Sequence, residues 1–131
     1  MNMEIEEVKP LYLLEDEISL ESYLEETNRY LVAAHADELF IDVDSVNELE
    51  EFRNRYTRVV DIIDVLGEVI ERESKTKLHY HVIVKLKHSL PVVDRILLQA
   101  ILGSDWRKES LSYVRVMRDI ENPIRFFEER K

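Results

Sequence analysis

Lys77-Leu78-His79-Tyr80-His81-Val82-Ile83-Val84-Lys85-Leu86-Lys87 is the stretch on which the reading of the chain turns. Its residues alternate. Leu78, Tyr80, Val82, Val84 and Leu86 fall on one face, and His79, His81, Ile83, Lys85 and Lys87 fall on the other. Period-two alternation marks a β-strand with one buried face. Leu39-Phe40-Ile41-Asp42-Val43-Asp44 has the same character: Leu39, Ile41 and Val43 face one way, Phe40, Asp42 and Asp44 the other.

Between and around these strands the chain reads as follows. Ser45, with Glu48 three residues on, has capping-box spacing and starts a helix whose apolar stripe is Val46, Leu49, Phe52 and Tyr56. The β-branched run Val59-Val60-Asp61-Ile62-Ile63-Asp64-Val65 predicts a strand over about 58–72, bulged near Gly67. Ser89 and Pro91 start a helix that Gly103 ends, and Ser104 or Asp105 caps another reaching about residue 119. Asn122-Pro123 breaks that helix, and Ile124-Arg125-Phe126-Phe127 reads as a last strand. Upstream, Leu11 to Leu14 form an apolar cluster, and Ser22 with Glu25 introduces a helix over about 20–35.

The expected fold class is therefore α+β. Residues 36–131 follow the split βαβ order of ferredoxin-like and RNA-recognition-motif-like folds, with helices on one face of an antiparallel sheet. In that topology the first and third strands lie side by side in the middle. Residues 1–35 form an acidic N-terminal extension, and the 131 residues make one domain.

Charge sharpens the division. Residues 1–52 hold sixteen Asp and Glu against Lys9 and Arg29, whereas residues 53–131 are net +4, within a total of −10. No apolar run approaches the roughly 18 residues of a membrane span, so no membrane partner is expected. The acidic N-terminus lacks the order of a signal peptide, and the absence of Cys removes disulfides, thiol catalysis and Cys-ligated zinc. A cytoplasmic location is the expectation. Two Gly, one Gln, no Cys and 35% charged residues fit a thermophilic protein.

The topology predicts one cluster. Asp42 and Asp44 on the first strand would meet His79 and His81 on the third, across an open sheet face. Two carboxylates and two imidazoles there suit Mg²⁺ or Mn²⁺, which would orient and polarise a phosphodiester. Lys85 and Lys87 extend that face towards phosphates. On the last helix Arg107, Lys108, Arg115 and Arg118 gather on one side as a nucleic-acid-binding stripe, opposite an apolar side of Trp106, Tyr113, Val114 and Met117 read as core.

Three resemblances attach to these residues. The strand Lys77 to Val84 resembles the His-hydrophobic-His strand of HUH replication initiators and relaxases. That resemblance implies His79 and His81 as metal ligands and Tyr113 as a DNA-nicking nucleophile, although Arg115 stands where the family often has Lys. Phe40-Ile41-Asp42-Val43-Asp44-Ser45 resembles the metal-binding strand of archaeo-eukaryotic primases. Leu102 to Glu109, with Pro123 to Glu128, is similar to small uncharacterised proteins of archaeal viruses and plasmids. Together they imply a nucleic-acid-binding or metal-dependent nucleic-acid-processing protein of a mobile element. The other expectation is a non-catalytic structural or protein-interaction module, self-associating as a homodimer.

Overall fold

In the computed structural model residues 29–73 and 79–129 are described. They form five strands and three helices: β1 (Arg29–Ala33), β2 (Glu38–Val43), α1 (Val46–Val60), β3 (Leu66–Glu73), β4 (Tyr80–Leu86), α2 (Val92–Ile101), α3 (Trp106–Met117) and β5 (Arg125–Glu129). The strands make two antiparallel sheets, one ordered β2-β4-β3 and one pairing β1 with β5.

α1 begins where the capping box places it. Ser45 is extended, at φ −157°, and its hydroxyl accepts the Glu48 N–H at 3.1 Å. The Glu48 carboxylate turns back to the N–H of Asp44, one residue before the cap. Leu49 and Phe52 are buried, and Tyr56, Val59, Val60 and Ile63 pack against the same core. That continuing stripe corrects the strand expected from residue 58. The helix runs on through Val59 and Val60 because burial of one face outweighs the low helix propensity of β-branched side chains. A turn follows, and β3 starts at Leu66. The expected bulge is present, with a register shift between Leu66 and Val69. A Cβ on Gly67 would stand 2.8 Å from the Lys85 carbonyl, so this close approach needs glycine.

β2 and β4 pair as the alternation implies, with Phe40 opposite Ile83 and Asp42 opposite His81. Their apolar faces separate cleanly. Leu39, Ile41, Val43, Val82, Val84 and Leu86 join Leu49, Phe52, Leu98 and Leu102 in a core beneath α1. Phe40 and Ile83 belong to a second core on the other face, with Ile96, Ile124 and Phe126.

The second core corrects the open sheet face. Phe126 of β5 lies flat on Phe40, ring centroids 4.3 Å apart, and flat on His81 at 4.0 Å. β5 thus crosses that face instead of extending the sheet, and it pairs with β1. β1 occupies 29–33, in the range expected to be helical; residues 20–28 of that expected helix, and the acidic residues 1–28 generally, lie outside the described residues. β2 consequently sits at an edge of its sheet, not in the middle.

α2 lies along that edge. It sends Leu98 and Leu102 into the first core, Ile96 into the second, and Gln99 at the strand between them. The helices are therefore not confined to one face. Pro91, not Ser89, is the N-cap residue of α2; Gly103, at φ +92°, ends the helix as expected, and its open left-handed conformation is where Gly is favoured. Asp105 caps α3 by accepting the N–H groups of Arg107 and Lys108 at 2.9 and 3.2 Å.

Trp106 is 71% exposed, which corrects its reading as core, whereas Phe126 is fully buried. Phe126→Ala is expected to lower the unfolding free energy by about 3–5 kcal/mol, and Trp106→Ala to change it by no more than about 0.5 kcal/mol. Denaturant titrations followed by circular dichroism check the contrast.

Candidate metal centre

The site starts from a backbone need. On the outer edge of β2 the backbone groups of Phe40 and Asp42 face away from β4, and each would be an unpaired polar group if buried alone. The α2–α3 corner supplies all four partners. Phe40 N–H donates to Gln99 Oε1 at 2.8 Å, and Lys108 Nζ donates to the Phe40 carbonyl at 2.6 Å. Asp42 N–H donates to Ser104 Oγ at 3.0 Å, and Asp105 N–H donates to the Asp42 carbonyl at 2.8 Å. Glu109 binds the corner together: it accepts from Gln99 Nε2 at 2.7 Å, Ser104 Oγ at 3.0 Å and Lys108 Nζ at 2.6 Å.

Because those groups point outward, Asp42 and His81 form a non-hydrogen-bonded pair, the type that brings side chains closest. Continuing the register by one residue sets His79 opposite Asp44. The side chains of Asp42, His79 and His81 offer three ligand atoms that all lie within 4.8 Å of one another. His81 is 5% exposed, its ring held between Phe126 and the edge of His79. The side chains of Asp42 and His79 are 21% and 26% exposed, so the cluster opens to solvent on one side.

His79 bridges both carboxylates. Its Nδ1 is 2.6 Å from Asp44 Oδ1, and its Nε2 is 2.7 Å from Asp42 Oδ1. The Nε2 contact is close, yet Asp42 Oδ1 is shut off from solvent and has no well-directed hydrogen bond. With its single proton on Nδ1, facing Asp44, a neutral imidazole would leave an unprotonated Nε2 2.7 Å from that carboxylate oxygen. Two acceptors at this distance repel unless a second proton lies between them or a cation is bound by both. The contact with Asp42 accordingly holds the His79 imidazolium above its ordinary pKa, against the opposing effect of burial, and Asp44 adds to the rise. Asp44 is raised too, first by burial and then by the neighbouring charge of Asp42.

The other expected site residues are placed differently. Lys85 is ion-paired with Glu38, and Lys87 with Asp64. Lys108 is nine-tenths buried and Arg115 is buried, its guanidinium reaching the Pro123 carbonyl, so the basic stripe is corrected. Desolvation lowers the Lys108 pKa. Of the four, Arg107 is exposed and Arg118 half-buried. Tyr113 packs, half-buried, against the Phe40–Phe126 core, and the structure does not bring it into the ligand group. Sequence reasoning missed Gln99, Ser104, Lys108 and Glu109 as the group that holds the β2 edge at Phe40 and Asp42. Their one signal is the Gly103-Ser104-Asp105 turn, which looks like ordinary helix punctuation. It also missed Arg72, which β3 places opposite His81 on the same face.

Comparison of the chain with protein-family models, with curated proteins and with solved structures finds no match in any of the three.

In chelator-treated protein the His79 imidazole is expected to titrate above 6.5 by NMR, and Asp42→Asn to bring it down. The folded protein holds this proton more tightly than the unfolded chain. The stabilisation is therefore complete below the unfolded value and is lost as pH rises through the raised folded value. Stability should fall as pH rises from about 6.5 through the raised folded value, and His79→Gln should flatten that slope. The raised pKa of Asp44 acts with the same sign at more acidic pH.

Proposed function

We propose that the protein binds a divalent transition-metal ion through Asp42, His79 and His81 and uses it on phosphodiesters of nucleic acid. The observation that carries this reading is the solvent-excluded Oδ1 of Asp42, which faces His79 Nε2 at 2.7 Å without a directed hydrogen bond. A cation coordinated by both atoms from the side, off the line that joins them, would offset the repulsion and take both as ligands. Asp44 then becomes the outer carboxylate that fixes the His79 tautomer, the usual arrangement behind a metal-bound imidazole. Two imidazoles and one carboxylate form a donor set better suited to Mn²⁺ than to Mg²⁺, whose preference is for oxygen. Three protein ligands leave coordination positions open, as catalytic sites do. When bound, such an ion supplies Lewis-acid polarisation of a phosphoryl oxygen. Arg72, facing His81 from β3, supplies positive charge on the same face.

In this reading the three-stranded sheet with α1 and α2 is a ferredoxin-like core whose last strand has left the sheet edge to cover its face. The protein belongs to the nucleic-acid-handling apparatus of a thermophilic archaeal virus or mobile element and works in the host cytoplasm. Tyr113 has no part in the chemistry. A second reading, a self-associating interaction module, has one observation in its favour. Val93, Leu97 and Ile101 recur at one-turn spacing on α2 and are all exposed. Light scattering at high concentration decides it, since a strict monomer excludes self-association.

Titration calorimetry of the chelator-stripped protein with Mn²⁺ is expected to show one site. Asp42→Asn and His81→Ala should each weaken it by at least about a hundredfold, and Asp44→Asn by about ten- to a hundredfold. Absence of Mn²⁺ and Zn²⁺ binding would remove the metal reading.

A further inference from the structure

The metal centre accounts for Asp42, Asp44, His79 and His81, but not for the residue pair that leaves the same corner into solvent. Gly103 turns the chain, and Ser104 and Asp105 pin the turn to β2 through the backbone of Asp42. Asp105 also stands beside the Asp44 carboxyl, whose pKa it helps to raise. The next residue is Trp106. Its backbone is thus held next to the strand that carries Asp42, while its indole is 71% exposed. It is the only Trp of the chain, whereas Phe40, Phe52 and Phe126 are fully buried.

A turn held to β2 by hydrogen bonds thus carries an exposed indole. An aromatic ring left in water forgoes the burial that the rest of the fold exploits. Arg107 shares the place. Its guanidinium carbon lies 5.5 Å from the centroid of the Trp106 ring, and its side chain makes no ion pair among the described residues. The guanidinium lies over one face of the indole, and the rest of the exposed ring with this unneutralised charge matches the two halves of a nucleotide unit: a flat base to stack and a phosphate to neutralise. A protein surface would use the indole but has no equal need of the arginine or of the neighbouring metal centre.

We propose that Trp106 and Arg107 form a nucleobase-stacking and phosphate subsite that seats a single-stranded nucleic acid beside Asp42, His79 and His81. The inference rests on the metal-centre reading for its substrate class but not for its binding energy. Trp106 stacks one base, Arg107 holds an adjoining phosphate, and the capped turn keeps both at a set distance from the ligand cluster. The subsite is indifferent to base identity, since every base offers a π-face.

The single tryptophan makes the test direct. The probe is an oligonucleotide of thymidines, against the same backbone with abasic sites, at low ionic strength because the chain is net −10. Each is titrated in chelator and in Mn²⁺, by intrinsic fluorescence and by anisotropy of a labelled strand. The thymidine strand should quench Trp106, and the abasic strand should bind on the order of tenfold more weakly. Trp106→Ala should weaken thymidine binding by a similar factor, with Trp106→Phe recovering most of it, and Arg107→Ala should reduce the salt dependence by about one phosphate contact. Circular dichroism confirms that the variants fold. Equal binding of the two strands, or an unchanged affinity of Trp106→Ala, overturns the proposal. So does self-association that depends on Trp106 with no oligonucleotide binding, which would make the surface a protein interface. Mn²⁺ calorimetry separates the two readings. Base-dependent binding without Mn²⁺ binding sinks the metal centre and leaves the subsite, and Mn²⁺ binding without base discrimination does the reverse.

Discussion

The outer edge of β2 is the constraint around which this molecule is organised. An edge strand presents unpaired N–H and C=O groups, and those of Phe40 and Asp42 are met by Gln99, Lys108, Ser104 and Asp105. Each such bond contributes about 1 kcal/mol net, but leaving the group buried and unpaired costs more. The corner must therefore stay in place as a unit. Glu109 ensures that, because its two carboxylate oxygens accept from Gln99, Ser104 and Lys108 together. A buried charge pair such as Lys108–Glu109 adds little stability by itself. Here it orients the groups that close the edge, and removing either partner would leave the other charged in the interior.

Closing the edge with side chains has a topological effect. A further strand has no unpaired backbone left to dock on at Phe40 and Asp42, so β5 finds β1 instead and lies across the sheet face. That move buries His81 under Phe126 while the strand ends, where His79 and Asp44 sit, stay open to solvent. One imidazole is thereby locked and one left accessible. A half-enclosed cluster of this kind has the partial desolvation that strengthens electrostatic contacts without sealing the site.

β2 and β4 were legible from their alternation, and so was the meeting of Asp42 with the His79–His81 pair, because register follows from which face is apolar. α1 was legible at its start, where Ser45 and Glu48 carry a local signal. Its end was not: Val59 and Val60 prefer strands as isolated residues, and only their packing on the core keeps them helical. β1 was misread because Leu31 and Ala34 happen to fit a helical spacing, while its strand character depends on β5, nearly a hundred residues away. The basic stripe failed for a related reason. A helical wheel shows which residues share a side but not that the side holding Lys108 and Arg115 turns inward to satisfy carbonyls. Local patterns are visible in sequence; tertiary hydrogen-bond demand is not.

The charge balance of the chain takes on a different meaning at this site. A total of −10 argues against phosphate ligands if it is spread evenly, but residues 1–28 account for −8 of it. What governs a ligand at the cluster is the local sum. Asp42, Asp44 and Asp105 stand close enough that burial and mutual repulsion raise the Asp44 pKa, the mark of a place with surplus negative charge. The buried Lys108 offsets part of that surplus from behind β2. A divalent ion on the open side would reverse the remainder and, with Arg72 opposite His81, turn an acidic cluster into a surface that attracts phosphate. The same carboxylates that repel an anion in the metal-free protein are what would recruit the cation that binds it.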